Sequence, residues 1–303
     1  MTVFRLIITL LATSILGATE GVVTSNSVRL TDGETLASAM DKGALALNMG
    51  DVTFIAGYRQ VTSIRQDPII MRFDGQGSDA VKTWQRTDID ATAVDSRAVG
   101  LIWDGYERLY VLITVDGGSN DAGTVRRFTN NGWLRDYGSG GGPKVTVALR
   151  VDPNTGTPDT GTYIRARLSN GNTNSAVPTA IAFHGDTLVV QLSSFFSPLR
   201  VDRQRMTHDT GPSPFPWRVV FDPSLANARR SEAVNFDGVV DIPELPSRQV
   251  RLMVGDHEDA SATVIVNQTV VARPSGSILD SGIYDPAAPC SFQLHDSIPS
   301  SLQ

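Results

Sequence analysis

Cysteine is almost absent from this sequence, since Cys290 is the single cysteine among 303 residues. No disulfide can therefore form within the chain, and a chain of this length buries enough apolar surface to fold without one. The simplest interpretation of Cys290 is a tail thiol or a small buried residue, and a bridge to another molecule is the alternative. Because no histidine pattern accompanies Cys290, a catalytic thiol is disfavoured.

Lysine and histidine are scarce as well. Three of the 26 basic residues are lysines, and the arginines are scattered along the chain. The formal net charge is −6, which argues against binding to the bare phosphate backbone of a nucleic acid. The four histidines pair at no metal-ligand spacing, and the sequence contains no HExxH, nucleophile elbow, P-loop or dinucleotide fingerprint. These motifs name no catalytic residue.

One glycine-rich stretch, Gly138–Gly142 (GSGGG), looks like a phosphate cradle at first sight. A P-loop needs a helix after the glycines and a Lys-Ser or Lys-Thr pair, and the sequence supplies neither here. A flexible loop between structural units is the better interpretation of this stretch.

Long hydrophobic runs are missing except at the N-terminus, where one arginine precedes an apolar run from Leu6 to Leu16. Gly17 and Ala18 follow, which is the layout of a secretory signal with cleavage after Ala18. The run is short for a transmembrane helix, although an uncleaved anchor is the alternative. We predict a signal peptide at residues 1–18 and an exported mature chain, periplasmic, secreted or at the cell surface, without a transmembrane span.

Short apolar runs of strand length are what the sequence has in abundance. They are broken by Asp-Gly, Gly-Asp or Asn-Gly, which is typical of antiparallel strands joined by tight turns. Three strand–turn–strand units of this kind follow one another at residues 99–118, 145–171 and 179–202.

Helical spacing is strong only in Thr31–Met49, where Leu36, Ala39 and Met40 repeat on one face. Thr31 or Asp32 could cap this helix, and Gly43 is expected to end it before a strand begins. Pro223–Glu232 is a weaker candidate for a short helix.

Two features indicate repetition. Strand starts recur at Val52, Val99, Val145 and Thr179, and the first spacings, 47 and 46 residues, match the length of a four-stranded propeller blade. An apolar residue followed by aspartate also recurs at strand ends, where an aspartate starts a turn. We expect a turn-forming role for all six of these aspartates, Asp74, Asp116, Asp152, Asp202, Asp222 and Asp237.

The unit at 145–171 is the most distinctive, with DPNTG at 152–156 and GTYIRARLSNGNTN after it. It resembles repeats of uncharacterised exported bacterial proteins with propeller-like blades. The resemblance implies an extracytoplasmic β-repeat fold and no particular activity. We therefore predict an all-β, β-propeller-like repeat of short antiparallel strands with one short helix near the N-terminus, in a single domain from 22 to 285 with a tail from 286 to 303.

One stretch has the pattern of a calcium loop. Gly238 offers a sharp turn, and carboxylate and amide oxygens at alternate positions suit calcium. Ala233 stands where the first ligand should be, and Pro243 spoils the exit helix, so an ordinary turn is the alternative. Calcium is the one cofactor considered, and its candidate ligands are Asn235, Asp237, Asp241 and Glu244.

Two functions are compatible with these observations. The first is a non-enzymatic binding or structural protein that engages a protein or an envelope polymer, not nucleic acid, through loops on one face of the scaffold. The alternative is a propeller-type hydrolase or lyase, with or without calcium, whose candidate residues are the strand-end aspartates and His184. Tryptophans near loops support the first function, namely Trp84, Trp103, Trp133 and Trp217.

Overall fold

A computed structural model shows a predominantly β protein. The residues that it describes are 19–91, 94–104, 107–117, 123–184, 186–207, 211–239 and 242, with the backbone of short strands at 252–253, 263–266 and 269–272. The predicted signal peptide and the predicted tail lie outside these residues.

The chain enters the fold through two short strands, β1 (Thr19–Glu20) and β2 (Val22–Val23). A six-residue helix, α1 (Leu36–Asp41), follows. The N-cap Thr35 accepts a hydrogen bond from the Ser38 N–H, which is why the helix begins later than Thr31 or Asp32 would place it.

The first sheet is an antiparallel meander whose strands are rich in β-branched and aromatic residues. Its order follows the chain, so each strand pairs with its neighbour in sequence. The strands are β3 (Leu45–Met49), β4 (Val52–Thr62), β5 (Arg65–Asp74) and β6 (Val81–Arg86).

The second sheet repeats this meander, and β2 pairs with the edge of its first strand. Its second and third strands are adjacent although the long connection 117–143 separates them in the sequence. The strands are β7 (Ser96–Trp103), β8 (Leu109–Asp116), β9 (Lys144–Val151) and β10 (Pro158–Ile164).

A small ladder of β11 (Ala166–Arg167) and β12 (Thr173–Asn174) leads to the third sheet. This sheet is again a meander of four consecutive strands, and β1 pairs with its first strand. The strands are β13 (Ala176–His184), β14 (Thr187–Ser194), β15 (Phe215–Phe221) and β16 (Ala228–Ala233). A separate three-stranded sheet consists of β17 (Leu252–Met253), β18 (Thr263–Val266) and β19 (Thr269–Ala272).

The N-terminal segment ties the three large sheets together. After β1 and β2 have paired with the third and second sheets, Tyr58 of β4 bonds Val28 and Leu30 through backbone groups at 3.0 and 2.8 Å. Gly21 lies between the two pairings, and a Cβ there would come within 2.4 Å of the Leu101 carbonyl oxygen. Only glycine allows this close approach.

The three large sheets share one core. A single cluster of buried side chains includes Phe54 of the first sheet, Leu112 of the second and Val190 of the third. A smaller cluster lies on the other side of the first sheet, where Ile55 packs with Leu36 of α1. The helix therefore covers the face of the first sheet that the second sheet leaves open.

The third strands of the three meanders have one comparable position. The third strand of each sheet ends in an aspartate or is directly followed by one. Two residues before that aspartate lies a residue that pairs with one residue of the second strand and one of the fourth. The three sets, written second–third–fourth strand, are Phe54–Arg72–Trp84, Tyr110–Arg150–Thr160 and Val189–Val220–Arg230.

In the first two sheets, side chains of these sets donate hydrogen bonds to a turn of the next sheet. The Pro153 carbonyl oxygen, in the turn between β9 and β10, accepts hydrogen bonds from Arg72 and Trp84 of the first sheet at 2.9 and 2.8 Å. The Pro223 carbonyl, in the matching turn between β15 and β16, accepts hydrogen bonds from Tyr110 and Arg150 of the second sheet at 2.6 and 3.3 Å. Consecutive sheets thus join head to tail through one repeated contact.

The all-β prediction and the short N-terminal helix are confirmed, and so are the hairpins predicted from the turn dipeptides. The helix ends near Gly43 as expected, because Gly43 has a left-handed φ of 70°. The described sheets are open, and no strand pairing among them closes a ring, so a propeller-like arrangement stays a prediction.

Two other predictions are wrong. The spacing predicts that the units 99–118 and 145–171 start separate repeats, but their hairpins belong to one sheet because β8 pairs with β9. The weak helix candidate Pro223–Glu232 is a turn followed by β16. The Asp222 carboxylate accepts the Ala226 N–H at 3.2 Å, which closes a turn rather than starting a helix.

Candidate anion-binding site

A buried arginine, Arg165, stands out among the described side chains. It is 5% exposed, and its Nε and Nη1 have no hydrogen-bond partner within the described structure. Its Nη2 lies 3.7 Å from Oδ1 of Asp136, a carboxylate that is half-exposed. Leaving a buried N–H unpaired costs about 1–3 kcal/mol, and more for a charged group.

The strand pattern explains how an arginine comes to lie inside. Arg165 follows β10, and alternation puts it on the same side as Tyr163, which is completely buried. Arg167 comes two residues later in β11 and is half-buried, and its Nε also has no partner in the described structure. Two guanidinium groups are therefore brought close together.

The glycine-rich loop lies directly against this guanidinium. Gly138 has a φ of 87°, and a Cβ there would lie 2.8 Å from Cζ of Arg165 and 2.6 Å from Oγ1 of Thr173. The loop is held at both ends, since Tyr137 donates its hydroxyl to the Pro143 carbonyl at 2.7 Å and the Thr173 N–H bonds the Ser139 carbonyl at 2.7 Å. Glycine at 138 is thus required for backbone and arginine to meet.

A groove of about 400 Å³ adjoins Gly138 and is lined also by Arg126, Asp136 and Ser139. Burial, and then the neighbouring Arg167, lower the pKa of Arg165 from its ordinary value, while Asp136 acts in the opposite direction. Around Gly138, three arginines (Arg126, Arg165 and Arg167) stand against one carboxylate, that of Asp136. The local potential is therefore positive in a chain whose net charge is −6.

This arrangement suits an oxyanion. Guanidinium groups bind carboxylate, sulfate or phosphate through paired N–H donors; Arg126 lines the groove, and Arg165 lies against Gly138, which lines it too. Asp136 already places a carboxylate oxygen within ion-pair distance of Arg165.

A second cleft, of about 440 Å³, is lined in part by Arg150, Asp152 and Asp159. Arg150 is fully engaged there, because it holds Asp159 through contacts of 2.6–3.0 Å and also reaches the Pro223 carbonyl. The cleft therefore follows from the contact between sheets, and we assign it no ligand.

The candidate calcium ligands are only partly described. Asn235 and Asp237 have left-handed φ values of 65° and 49°, and the Asp237 carboxylate accepts the Thr207 N–H at 3.1 Å. Asp241 and Glu244 lie outside the described residues. Within the described part of the chain, no group of three or more His, Cys, Asp or Glu side chains is arranged to hold a metal ion. The calcium site stays a prediction.

The strand-end aspartates have several local roles. Asp152, Asp202 and Asp222 accept backbone N–H groups two to four residues ahead, which is the turn-forming role expected for them. Asp74 instead pairs with Arg72 at 2.6 Å. Asp116 lies 3.6 Å from Lys144.

His184, the remaining candidate for a hydrolase or lyase, is exposed at the end of β13. The tryptophans that suggested a loop surface are mainly structural. Trp133 and Trp217 are buried in the core, and Trp84 and Trp103 pack against it. The local roles of the aspartates and of His184 lend no support to the catalytic alternative.

Sequence reasoning did not select Arg165, although a signal was present. In Tyr163-Ile164-Arg165-Ala166-Arg167, the two arginines occupy the same alternate positions as Tyr163. Because Tyr163 is a core residue, this alternation predicts that Arg165 also points inward. A charge at an inward position is rare unless it is paired. The glycine-rich stretch is visible in the sequence, but Arg165, its neighbour in space, lies in another part of the sequence.

No protein-family model, curated protein or solved structure gives a significant match to this chain. Conclusions about function therefore rest on the fold and the site alone. Among the residues that the structure describes, no helix is both long enough and apolar enough to cross a membrane.

Proposed function

We propose that this chain is an exported, non-enzymatic binding protein that engages an anionic group of a protein or envelope polymer through loops on one face of a β-propeller-like scaffold. The N-terminal signal pattern supports export. The head-to-tail contacts of the three meanders, at Pro153 and Pro223, support a propeller-like scaffold.

One observation carries the binding function: Arg165 is buried against Gly138 with its Nε and Nη1 unpaired within the described structure, and Gly138 lines a groove together with Arg126, Asp136 and Ser139. A buried charge that lacks some of its hydrogen bonds is costly unless something else compensates it. An anion in the groove would lie beside Gly138 and lower that cost through its charge, while Arg126, which lines the groove, would supply guanidinium donors.

The test measures thermal unfolding of the full chain in phosphate, sulfate and chloride at equal ionic strength. A ligand at a hundred times its dissociation constant adds about 2.7 kcal/mol to the folded state. We expect phosphate or sulfate to raise the melting temperature of the wild type above its value in chloride. Arg165→Met should lose this rise, and Gly138→Ala, whose Cβ would press on Arg165, should weaken it.

Arg229→Gln is the matched control, because Arg229 is half-exposed in the third sheet and only faces Asp186 at 3.4 Å. Sulfate stabilises many proteins by exclusion from their surface, so the specific effect is the difference between Arg165→Met and this control. An equal response of the two variants would overturn the proposal.

A further inference from the structure

Three large apolar side chains are exposed in the connection between β14 and β15. Phe195 is 43% exposed, Phe196 is 36% exposed and Val201 is 45% exposed. Single exposed apolar residues are common on protein surfaces, but two adjacent phenylalanines with a nearby valine are a patch.

The backbone around the two phenylalanines is held in place. The Phe195 N–H bonds the Ser175 carbonyl at 2.9 Å, and the Phe195 carbonyl accepts the Ser213 hydroxyl at 3.2 Å. The Ser194 hydroxyl bonds the Phe196 carbonyl at 2.8 Å. The rings are thus presented from a fixed backbone, which lowers the entropy cost of using them as anchors.

Val201 lies at the tip of a tight turn that is fixed in the same way. Trp133, itself buried, donates its indole N–H to the Val201 carbonyl at 2.9 Å. The two arms of the turn are joined by the N–H of Arg200 to the carbonyl of Gln204 at 2.8 Å.

The rim of this patch is basic. Residues 200–205 read RVDRQR, with three exposed arginines and one aspartate, in a chain whose net charge is −6. Asp202 bonds the Gln204 N–H at 3.1 Å and lies 3.6 Å from Arg200, so it engages only one of the three arginines. Arg203 and Arg205 leave a positive edge next to the apolar side chains.

One backbone contact links this segment to the strand that follows Arg165. The Arg167 N–H bonds the Ser197 carbonyl at 2.9 Å, and Ser197 directly follows Phe196. Arg165 is two residues before Arg167.

We propose that Phe195, Phe196 and Val201, with the arginines of the turn 200–205, form the docking surface for an acidic segment of a partner protein. In such a segment carboxylates alternate with apolar side chains, so that the apolar groups meet the phenylalanines and the carboxylates meet the arginines. This inference names the partner of the proposed binding function and rests on it.

The dimensions agree with a short peptide. At roughly 3.4 Å per extended residue, Phe196 and Val201 are at most about 17 Å apart along the chain. An extended segment of about six residues covers that length. Charge complementarity selects an acidic segment, and the aromatic anchors favour a protein over an anionic polymer without apolar groups.

The experiment measures binding of the full chain to a labelled synthetic peptide of alternating glutamate with leucine or phenylalanine. Four unlabelled competitors are compared: the acidic–apolar peptide itself, the same peptide with lysine for glutamate, a polyglutamate peptide, and a single-stranded oligonucleotide. We expect only the acidic–apolar peptide to compete efficiently. Its affinity should fall as salt rises.

Two double variants locate the site. Phe195→Ser with Phe196→Ser should weaken the peptide at least tenfold, and Arg203→Gln with Arg205→Gln should weaken it and reduce its salt dependence. Ile64→Ser is the matched apolar control, because Ile64 is 81% exposed at the tip of the β4–β5 hairpin. Arg203, Arg205 and Ile64 are exposed, so their variants should keep the wild-type melting temperature. Phe195 and Phe196 are partly buried, so a cooperative unfolding transition, with a lower melting temperature allowed, is the check that the Phe195→Ser with Phe196→Ser variant folds.

Absence of peptide binding, equal binding by the phenylalanine variants, or preferred binding of the oligonucleotide would overturn the docking surface. The phosphate response at Arg165 is measured in the same variants and separates the two proposals. If phosphate raises the melting temperature but the peptide does not bind, only the docking-surface proposal is wrong. If the peptide binds but phosphate has no effect, only the anion-site proposal is wrong.

Discussion

The carbonyl oxygen of Pro153 accepts a hydrogen bond from Nε1 of Trp84 at 2.8 Å, although the two residues belong to different sheets. The carbonyl of Pro223 likewise accepts a hydrogen bond from the hydroxyl of Tyr110 in the second sheet at 2.6 Å, although Tyr110 lies in the second strand of its meander and Trp84 in the fourth. Pro153 and Pro223 both follow a strand-end aspartate that accepts a backbone N–H of its own turn. Two turns that begin with Asp-Pro therefore both make contacts between sheets.

The first prediction concerns the contact at Tyr110. Tyr110→Phe removes only the hydroxyl and leaves the buried Pro223 carbonyl with its weaker contact to Arg150, so we expect a loss of about 1–2 kcal/mol in the free energy of unfolding. Burial raises the pKa of Tyr110 to about 12, so the contact persists through the neutral range. Urea unfolding at pH 7 measures the loss. An unchanged midpoint would show that the hydroxyl does not hold the sheets together.

The second prediction isolates the fit of the turn against the first sheet. Gly156 has a φ of 70°, and a Cβ there would lie 2.6 Å from Cε3 of Trp84. Gly171 has a φ of 91° with no atom near its Cβ position, so Gly171→Ala has only the backbone strain. We expect Gly156→Ala to lower the free energy of unfolding by roughly 1–3 kcal/mol more than this control. Equal losses of unfolding free energy in the two variants would mean that the Trp84 side chain moves aside at no cost.

The third prediction concerns Asp90, which is fully buried. One carboxylate oxygen accepts the Val125 N–H at 3.1 Å, and the Ser96 side chain also stabilises the charged form, but burial outweighs both. Burial raises the pKa of Asp90, so the folded state binds a proton more readily than the unfolded state does. The ionised form therefore destabilises the fold at neutral pH, and this cost disappears as the pH falls through the raised pKa.

Asp90→Asn keeps the acceptor for Val125 and removes the charge. We expect it to match or exceed the wild type in melting temperature at pH 7, and to lose this advantage in acid. Thermal unfolding between pH 4 and pH 8 checks the trend. A variant that is less stable at every pH would show that Asp90 acts as a paired anion.

The fourth prediction concerns Glu34, at the start of the helical region. Burial alone would raise its pKa, but hydrogen bonds from Lys42, Ser38 and Thr31 outweigh burial and lower the pKa to about 2. A lowered folded-state pKa means that the stabilisation is complete above the ordinary value of 4.5 and is lost as the pH falls towards 2. Glu34→Gln should be less stable than the wild type at pH 7, and the difference should shrink below pH 4.5. A constant difference across this range would contradict the assignment.

Local patterns were sufficient to predict most hairpins. The Asp-Gly and Gly-Asp turns and the apolar runs specify strand pairs such as β7–β8 and β13–β14, because these contacts are local in sequence. The grouping of hairpins into sheets was not predictable in the same way. The pairing of β8 with β9 spans the connection 117–143, and no local signal marks such a pairing.

The candidate site shows the same limit. Gly138 and Arg165 each carry a visible signal, a glycine-rich stretch and a charge at an inward strand position. Their meeting depends on how the 137–143 loop returns over the end of β10, which is a tertiary relationship. The tryptophans lie near loops in the sequence, which predicts a surface role. Trp133 and Trp217 are nevertheless buried, because tertiary packing places them in the core.

Calorimetric titration of the full chain with inorganic phosphate tests the central claim most directly. The account predicts saturable binding at a single site in the wild type and in Arg229→Gln, and no detectable binding in Arg165→Met, whose cooperative thermal unfolding shows that it is folded. Equal binding by Arg165→Met, or no binding by the wild type at tens of millimolar phosphate, would contradict it.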